Sequence, residues 1–153
     1  IKKVDNAKYN LIIRLHPLEK TNVDKDYIVD SKYSTFDLLK IADYVITDYS
    51  AIAFETAVID KPIFFYLYDL DEYENNRGLN INLKKEMKSV TFNNINDIIS
   101  VIGEDKYPYE EYQKFKDKYI ETKDTNNSKR IIEKIKCTLE EVVWVKLKSR
   151  WLT

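Results

Sequence analysis

The segment YVITDYSAIAFETAVIDKPIFFYL, Tyr44–Leu67, decides the fold. Its apolar runs Tyr44–Thr47 and Ile63–Leu67 have the length and the β-branched and aromatic content of strands. Between them, Ala51–Ile59 has the spacing of a helix, and Pro62 starts a new element because proline cannot continue a helix. Strand, helix and strand in this order predict a parallel βαβ unit.

The same alternation continues on both sides of this unit. Three further apolar runs predict strands: Asn10–Leu15, Tyr27–Val29 and, more weakly, Ser89–Phe92. Two capped helices are predicted, one opened by Ser34 and Asp37 and running to Ile41, the other capped by Asn94 or Asn96 and ending at Gly103. Because βαβ crossovers are right-handed, we expect an α/β fold: a Rossmann-like parallel sheet with helices on both faces.

The composition changes after Gly103, where Lys and Glu alternate with apolar residues at helical spacing. This pattern predicts two helices, Tyr107–Thr122 and Ser128–Arg150. We expect residues 1–103 to form a Rossmann-like nucleotide-binding core and residues 104–153 to form helices that pack on it, all within one domain.

The end of the chain, VVWVKLKSRWL at Val142–Leu152, combines Trp144 and Trp151 with basic residues. Such a mixture suits a helix on a membrane surface. It equally suits a terminal helix whose tryptophans cover the core or another lobe, and the sequence leaves both interpretations open.

Composition excludes several classes of protein. With 153 residues and a formal net charge of -1, the chain can bury a core but lacks the basic excess of a general nucleic-acid binder. A single cysteine and a single histidine exclude a disulfide framework and a multi-cysteine zinc site, so we predict no tightly held structural metal and leave a loosely bound divalent ion open. We also predict no cofactor. Because the sequence lacks an initiator methionine and a signal peptide, we expect a fragment of a larger chain.

Polar residues follow three of the predicted strands, at the sheet edge where open α/β sheets bind ligands. His16 follows Arg14 at the first strand end and could accept a proton from a hydroxyl, or serve structurally. Thr47, Asp48 and Ser50 lie at a strand-to-helix junction, where free N–H groups can bind an anion or be capped by side chains. Glu55, one turn further on, could accept a hydroxyl or be a solvated charge.

Two more candidates lie outside those junctions. Arg77 and Gly78, in the segment after Leu67, could bring a guanidinium to a phosphate, or form a surface loop with a turn glycine. Ser128 and Arg130 open the last predicted helix and could bind an anion or cap that helix.

These segments, taken in order, resemble the C-terminal half of the CDP-glycerol:poly(glycerophosphate) glycerophosphotransferase family, the teichoic-acid polymerases and primases. The resemblance covers roughly residues 10–135. It is carried by RLHP at Arg14–Pro17, DLLKIADYVITDYSAIAFE at Asp37–Glu55, KPIFFYLYDLDEY at Lys61–Tyr73, RG at Arg77-Gly78 and NSKRI at Asn127–Ile131.

The resemblance implies the nucleotide-binding C-terminal lobe of a glycosyltransferase type B fold. It also implies a reaction in which a hydroxyl of the growing chain attacks the β-phosphate of a CDP-polyol and CMP leaves. His16 matches an active-site histidine of the family, and the donor-contacting positions of the family fall on Arg14, His16, Ser50, Ala51 and Glu55. Ala51 replaces a second serine and Glu55 replaces an aspartate, so the identity of the polyol, glycerol or ribitol, stays open.

The sequence thus predicts the donor-binding lobe of a polyol-phosphate transferase that is inactive as an isolated fragment. We expect its partners to be a CDP-polyol, a polyol-phosphate or lipid-linked acceptor, a missing N-terminal lobe and a membrane surface, but not nucleic acid. Two alternatives stay open: a lobe of a nucleotide-sugar glycosyltransferase or epimerase, and a non-catalytic interaction module.

Overall fold

A computed structural model describes residues 4–15, 28–29, 32–120 and 124–150. The chain divides into two compact units, Ile1–Ile120 and Glu121–Thr153. The first unit contains the strands and six of the described helices; the second contains one long helix. His16 and the first residue of the second predicted strand, Tyr27, lie outside the described residues.

The elements follow the predicted order. The strands are β1 Ile12–Ile13, β2 Ile28–Val29, β3 Val45–Thr47, β4 Ile63–Tyr66 and β5 Thr91–Phe92. The helices are α1 Thr35–Ile41, α2 Ile52–Val58, α3 Leu70–Arg77, α4 Leu83–Glu86, α5 Ile95–Glu104, α6 Tyr109–Tyr119 and α7 Asn127–Arg150. A short 3-10 turn, Lys88–Val90, precedes β5.

All strand pairs in the described part of the chain are parallel. β1 pairs with β2, and β3, β4 and β5 form a three-stranded sheet in that order. Val45 lies opposite Ile63, and Tyr66 lies opposite Phe92, so the three strands end together at one edge. The predicted α/β class with a parallel sheet is confirmed.

The core is built on β4 and the helices that cover it. Ile63, Phe64 and Phe65 are fully buried in the central strand, which explains why this strand is apolar without alternation. Ala53, Thr56 and Ala57 bring α2 against the sheet, and the buried side chains of α5 and α6 are Ile98, Tyr112 and Phe115. Stacking of Phe54 on Phe115, with ring centroids 6.1 Å apart, joins α2 to α6.

The predicted N-terminus of α1 is confirmed in atomic detail. The backbone N–H of Asp37 donates to Oγ of Ser34 at 3.2 Å, and the Ser34 hydroxyl donates back to Oδ2 of Asp37 at 2.6 Å. Asp37 therefore accepts from the Ser34 hydroxyl, whereas the glutamate of a capping box accepts from the backbone N–H of the N-cap residue. This bond to Ser34 lowers the pKa of the Asp37 carboxyl.

Three predicted boundaries are wrong. Gly103 lies inside α5, and Asp105 ends the helix in the left-handed conformation with φ 53°. A longer, buried first strand is predicted, but β1 covers only Ile12–Ile13, and Ile12 is 38% exposed. In the described residues, β1 pairs with β2 alone. The segment Asp69–Gly78, for which no helix is predicted and a surface loop is one alternative, contains helix α3, which lacks the apolar periodicity that reveals a helix in a sequence.

Two tyrosines after α5 complete the hydrogen bonds of the chain that enters β4. The N–H of Ile63 donates to the hydroxyl of Tyr107 at 3.0 Å, and that hydroxyl donates to the carbonyl of Ile63 at 3.0 Å. The hydroxyl of Tyr112 donates to the carbonyl of Lys61 at 2.7 Å. Burial of both phenols raises their pKa well above the ordinary value, so they stay neutral donors at physiological pH.

We expect Tyr107→Phe to lower the free energy of unfolding by about 1–3 kcal/mol, because it leaves a buried N–H and a buried carbonyl of Ile63 without their partner. Urea denaturation measures the change. Tyr109→Phe, at a position that is 62% exposed, is the matched control and should differ from the wild type by less than about 0.5 kcal/mol. Equal stability of the two variants would show that the Tyr107 hydroxyl contributes nothing.

Where the structure describes the second unit, residues 124–150, it consists of the helix α7 and the turn before it. Arg130 bonds to Oδ2 of Asp124 at 2.9 Å and to Oδ1 of Asn127, which fixes the start of the helix, and the guanidinium lowers the pKa of Asp124. Ile131, Ile132, Ile135 and Leu139 are each more than half exposed. Among the described residues, no helix has both the length and the apolar character needed to cross a bilayer. Packing of this helix on the core stays a prediction.

Candidate functional site at the carboxyl edge of the sheet

The carboxyl ends of β3, β4 and β5 form one edge of the three-stranded sheet, as the topology predicts. Asp48 follows β3, Leu67 follows β4 and Asn93 follows β5. A crevice of about 140 Å³ opens there. Its lining residues come from the end of β4, from α3 and α4 and from the end of β5: Leu67, Tyr68, Asp69, Leu70, Asp71, Glu72, Lys84 and Asn93.

The junction between β3 and α2 uses its serine as a cap. Oγ of Ser50 accepts a hydrogen bond from the backbone N–H of Ile52 at 3.3 Å. The hydroxyl accepts this bond and so keeps its own proton to donate to a ligand. Thr47 is half-buried at the end of β3, whereas Asp48, Ser50 and Ala51 are exposed. Capping, one of the two alternatives for this junction, is therefore present.

Tyr49 ties this junction to the segment after β4. Its hydroxyl donates to Oδ1 of Asp69 at 3.0 Å. Burial, and then this bond to the carboxylate, raise the pKa of Tyr49 well above its ordinary value, so the phenol stays a donor at physiological pH. The bond joins the β3–α2 junction to the residue that precedes α3, and Asp69 also lines the crevice.

The ring of Tyr49 stacks on the ring of Tyr73 in α3. The ring centroids are 3.8 Å apart and the planes are tilted by only 15°. One helical turn later, Cζ of Arg77 lies 5.6 Å from the centroid of the Tyr73 ring, within the range of a cation–π contact. The stack therefore brings Arg77 to the same part of the molecule as the Asp48–Ser50 junction.

Gly78 ends the helix that presents Arg77. Its φ is 72°, a left-handed conformation that glycine adopts without a steric penalty, and its N–H donates to the carbonyl of Glu74 at 3.0 Å. The predicted turn glycine is thus a helix cap, and Arg77 is exposed in the last turn of α3.

The other predicted site residues fall into three groups. Glu55 is half-buried in the first turn of α2, and Ala51 precedes that helix without a side-chain cap. Arg14 is exposed directly after β1. Ser128 and Arg130 belong to the second unit, and His16 lies outside the described residues, so their approach to the edge stays a prediction.

A comparison with protein families decides the assignment. The profile of the CDP-Glycerol:Poly(glycerophosphate) glycerophosphotransferase family matches residues 1–136. The chain belongs to this family. The match contains every predicted site residue, including His16 and the start of α7.

Curated relatives of the family are similar over most of this chain. The teichoic acid glycerol-phosphate primase of Bacillus subtilis is 38% identical over 132 residues, which cover 82% of this chain and 34% of that protein. The teichoic acid glycerol-phosphate transferase of Staphylococcus aureus is 32% identical, with 83% and 35% covered. The poly(ribitol-phosphate) polymerase of Bacillus spizizenii is 28% identical, with 88% and 23% covered. The chain therefore spans about a third of the length of these relatives or less.

A solved member of the family has a similar fold. The wall teichoic acid polymerase TagF matches with a TM-score of 0.65 and 25% sequence identity, over 88% of this chain and 36% of that one. The comparison covers the α/β arrangement described above, in agreement with the predicted relation to one lobe of a larger fold.

Tyr49, Asp69 and Tyr73 belong to segments that the sequence places at this edge, but none of the three was predicted as a site residue. The four-residue spacing of Tyr73 and Arg77 was a usable signal, because residues four apart face each other on a helix, but α3 itself was not predicted. In the described part of the chain, no group of three or more His, Cys, Asp or Glu is arranged to hold a metal ion.

Proposed function

We propose that this chain binds the donor of a polyol-phosphate transferase, a CDP-glycerol or CDP-ribitol. The enzyme transfers the polyol phosphate to a teichoic-acid-type or capsular acceptor and releases CMP. Membership of the glycerophosphotransferase family over residues 1–136 supports the proposal. The names of relatives include glycerol-phosphate and ribitol-phosphate enzymes, so both polyols are candidates.

The observation that carries the proposal is the convergence at the sheet edge. The Tyr49–Tyr73 stack links the junction that contains Ser50 to the ring that the guanidinium of Arg77 contacts. A guanidinium and a hydroxyl donor suit a pyrophosphate, which presents many acceptor oxygens and a negative charge. A flexible Gly-rich loop is not required, since these donors are already supported by packed rings.

The remaining predicted residues have roles in the same proposal. Arg14, Thr47, Asp48, Ala51 and Glu55 contribute to the donor site at or near strand ends. Gly78 lets the backbone approach the phosphates of the donor. Ser128 and Arg130 contribute contacts to the donor from the start of α7.

His16 is the proposed catalytic residue. It accepts the proton of the acceptor hydroxyl while that oxygen bonds to the β-phosphorus and the bond from this phosphorus to the CMP oxygen breaks.

Two partners complete the proposal. An N-terminal lobe supplies the acceptor side of the active site, as the family resemblance implies. The enzyme is cytoplasmic and lies peripherally on the inner face of the cell membrane, where a lipid-linked acceptor is accessible. The basic, tryptophan-containing end of α7 suits such a surface.

Calorimetric titration of the chain with CDP-glycerol, CDP-ribitol, CMP and a UDP-sugar tests donor binding. We expect at least one CDP-polyol to bind more tightly than CMP, because the transferred phosphate adds charge for the edge to recognise. Ser50→Ala should weaken that binding about fivefold, the loss of about one hydrogen bond. Ser50→Thr keeps a hydroxyl and should bind like the wild type.

Ser100→Ala is the matched control, since Ser100 is an exposed residue within α5. It should leave the affinity for CDP-polyols unchanged. An absence of CDP-dependent heat at millimolar ligand contradicts donor binding by this chain. Binding of the UDP-sugar with no preference for CDP would favour a nucleotide-sugar glycosyltransferase or epimerase instead.

A further inference from the structure

Tyr73 stands out among the tyrosines of the first unit because of what it contacts. It lies on α3, outside the buried core, and is half-buried. Tyr49 stacks on its ring at 3.8 Å, and the guanidinium of Arg77 lies 5.6 Å from its centroid. One ring therefore contacts both the β3–α2 junction and the cation at the end of α3.

Tyr49, which stacks on Tyr73, is itself held in place. The hydroxyl of Tyr49 is bound to Asp69, which directly precedes α3, and Tyr49 packs against the hydrophobic core. Tyr49 is therefore held at two points, its hydroxyl and its ring face. Tyr49 in turn restrains the Tyr73 ring, because a ring stacked at 3.8 Å with a 15° tilt cannot rotate freely.

Arginine side chains have large rotamer freedom, which is lost when they bind a ligand. Arg77 is exposed and would otherwise sample many rotamers. A ring that already holds the guanidinium reduces this cost and so strengthens binding without touching the ligand.

We propose that Tyr73, clamped by Tyr49, is a positioning residue that holds the Arg77 guanidinium for the pyrophosphate of the donor. The inference rests on the proposed function for the identity of the donor, and it deepens that function by assigning a residue that acts through Arg77. Tyr73 itself needs no contact with the ligand.

A double-mutant cycle tests the proposal. The affinities of the whole chain for CDP-glycerol, CDP and inorganic pyrophosphate are measured by calorimetry for the wild type, Y73L, R77A and the double variant. We expect Y73L and R77A each to weaken CDP binding, R77A about tenfold and Y73L several-fold. The double variant should bind no more weakly than R77A alone, since Tyr73 acts only through Arg77. Y73F keeps the ring and should restore wild-type affinity.

Two control variants lie away from this edge. Tyr109 and Lys114 are exposed on α6, and Tyr109 contacts Tyr107, which binds the start of β4 at the opposite end of the strand. Y109L and K114A should therefore leave all three affinities unchanged. Y73M replaces Y73L if the latter fails to fold.

The outcomes separate this inference from the proposed function. Additive losses in the cycle, wild-type binding by Y73L, or failure of Y73F to restore binding overturn the positioning role. Pyrophosphate binding that depends on Tyr73, with no binding of CDP-glycerol or CDP, overturns the proposed donor and leaves the positioning role supported. Absence of binding for all three ligands overturns both.

Discussion

Replacing His16 with alanine is expected to lower the rate of CMP release from CDP-glycerol by about 100-fold to 10,000-fold, the usual contribution of general acid–base catalysis. His16 is the one histidine of the sequence and follows Arg14 at the predicted end of the first strand. A neutral imidazole at this position can accept the proton of the attacking hydroxyl. The measurement is CMP release by the full-length enzyme, which contains the proposed N-terminal lobe, in the presence of a glycerol-phosphate acceptor.

Donor affinity is the control for this experiment. If His16 acts on the acceptor proton, His16→Ala should reduce CMP release far more than it reduces binding of CDP-glycerol. Turnover within a few-fold of the wild type contradicts the catalytic role and favours the non-catalytic module. Equal losses in binding and turnover assign His16 to donor binding instead.

Phe64→Ala is expected to lower the free energy of unfolding by about 3–5 kcal/mol, the range for a large aromatic removed from a core. Phe64 is fully buried in the central strand β4. Its ring lies 5.4 Å from that of Tyr107, 6.1 Å from Tyr44 and 6.3 Å from Phe92, so the cavity would open between β4 and its neighbours on both sides. Such a loss is a large part of the stability of a small domain, and urea denaturation measures it.

Phe36→Ala is the matched control, because Phe36 on α1 is 48% exposed. This variant should change the free energy of unfolding by less than about 1 kcal/mol, since little packing is lost. Similar losses for both variants would show that β4 is not the centre of the core.

The predictable part of the fold was the part with local periodicity. The apolar runs of β3 and β4 and the capping residues Ser34 and Asn94 could be identified because each depends on a few neighbouring residues. Helix α3 could not, since among its eight residues only Leu70 and Tyr73 are apolar. Its acidic first turn and its glycine cap stabilise the helix instead. In a sequence, the same residues are equally typical of a polar loop.

The candidate site divides in the same way. Ser50, Glu55 and Arg77 could be identified from strand ends and from the family resemblance, both of which are properties of sequence order. The contact between Tyr49 and Tyr73 could not, because 24 positions separate the two residues along the chain and no local pattern pairs them. Their contact appears only when β3 and β4 pair and place α3 beside the β3–α2 junction.

By itself, the sequence determined the α/β class, the order of strands and helices, and the family, since hydrophobic periodicity and motif order are written along the chain. The tertiary structure alone decided which distant groups meet: Tyr107 with Ile63 across 44 positions, Tyr49 with Asp69 across 20, and the stacked rings beside Arg77. The physical reason is the distance over which each kind of interaction acts. Backbone propensity acts between neighbours, whereas stacking and side-chain hydrogen bonds require atoms within a few ångströms, a proximity that only strand pairing and packing create.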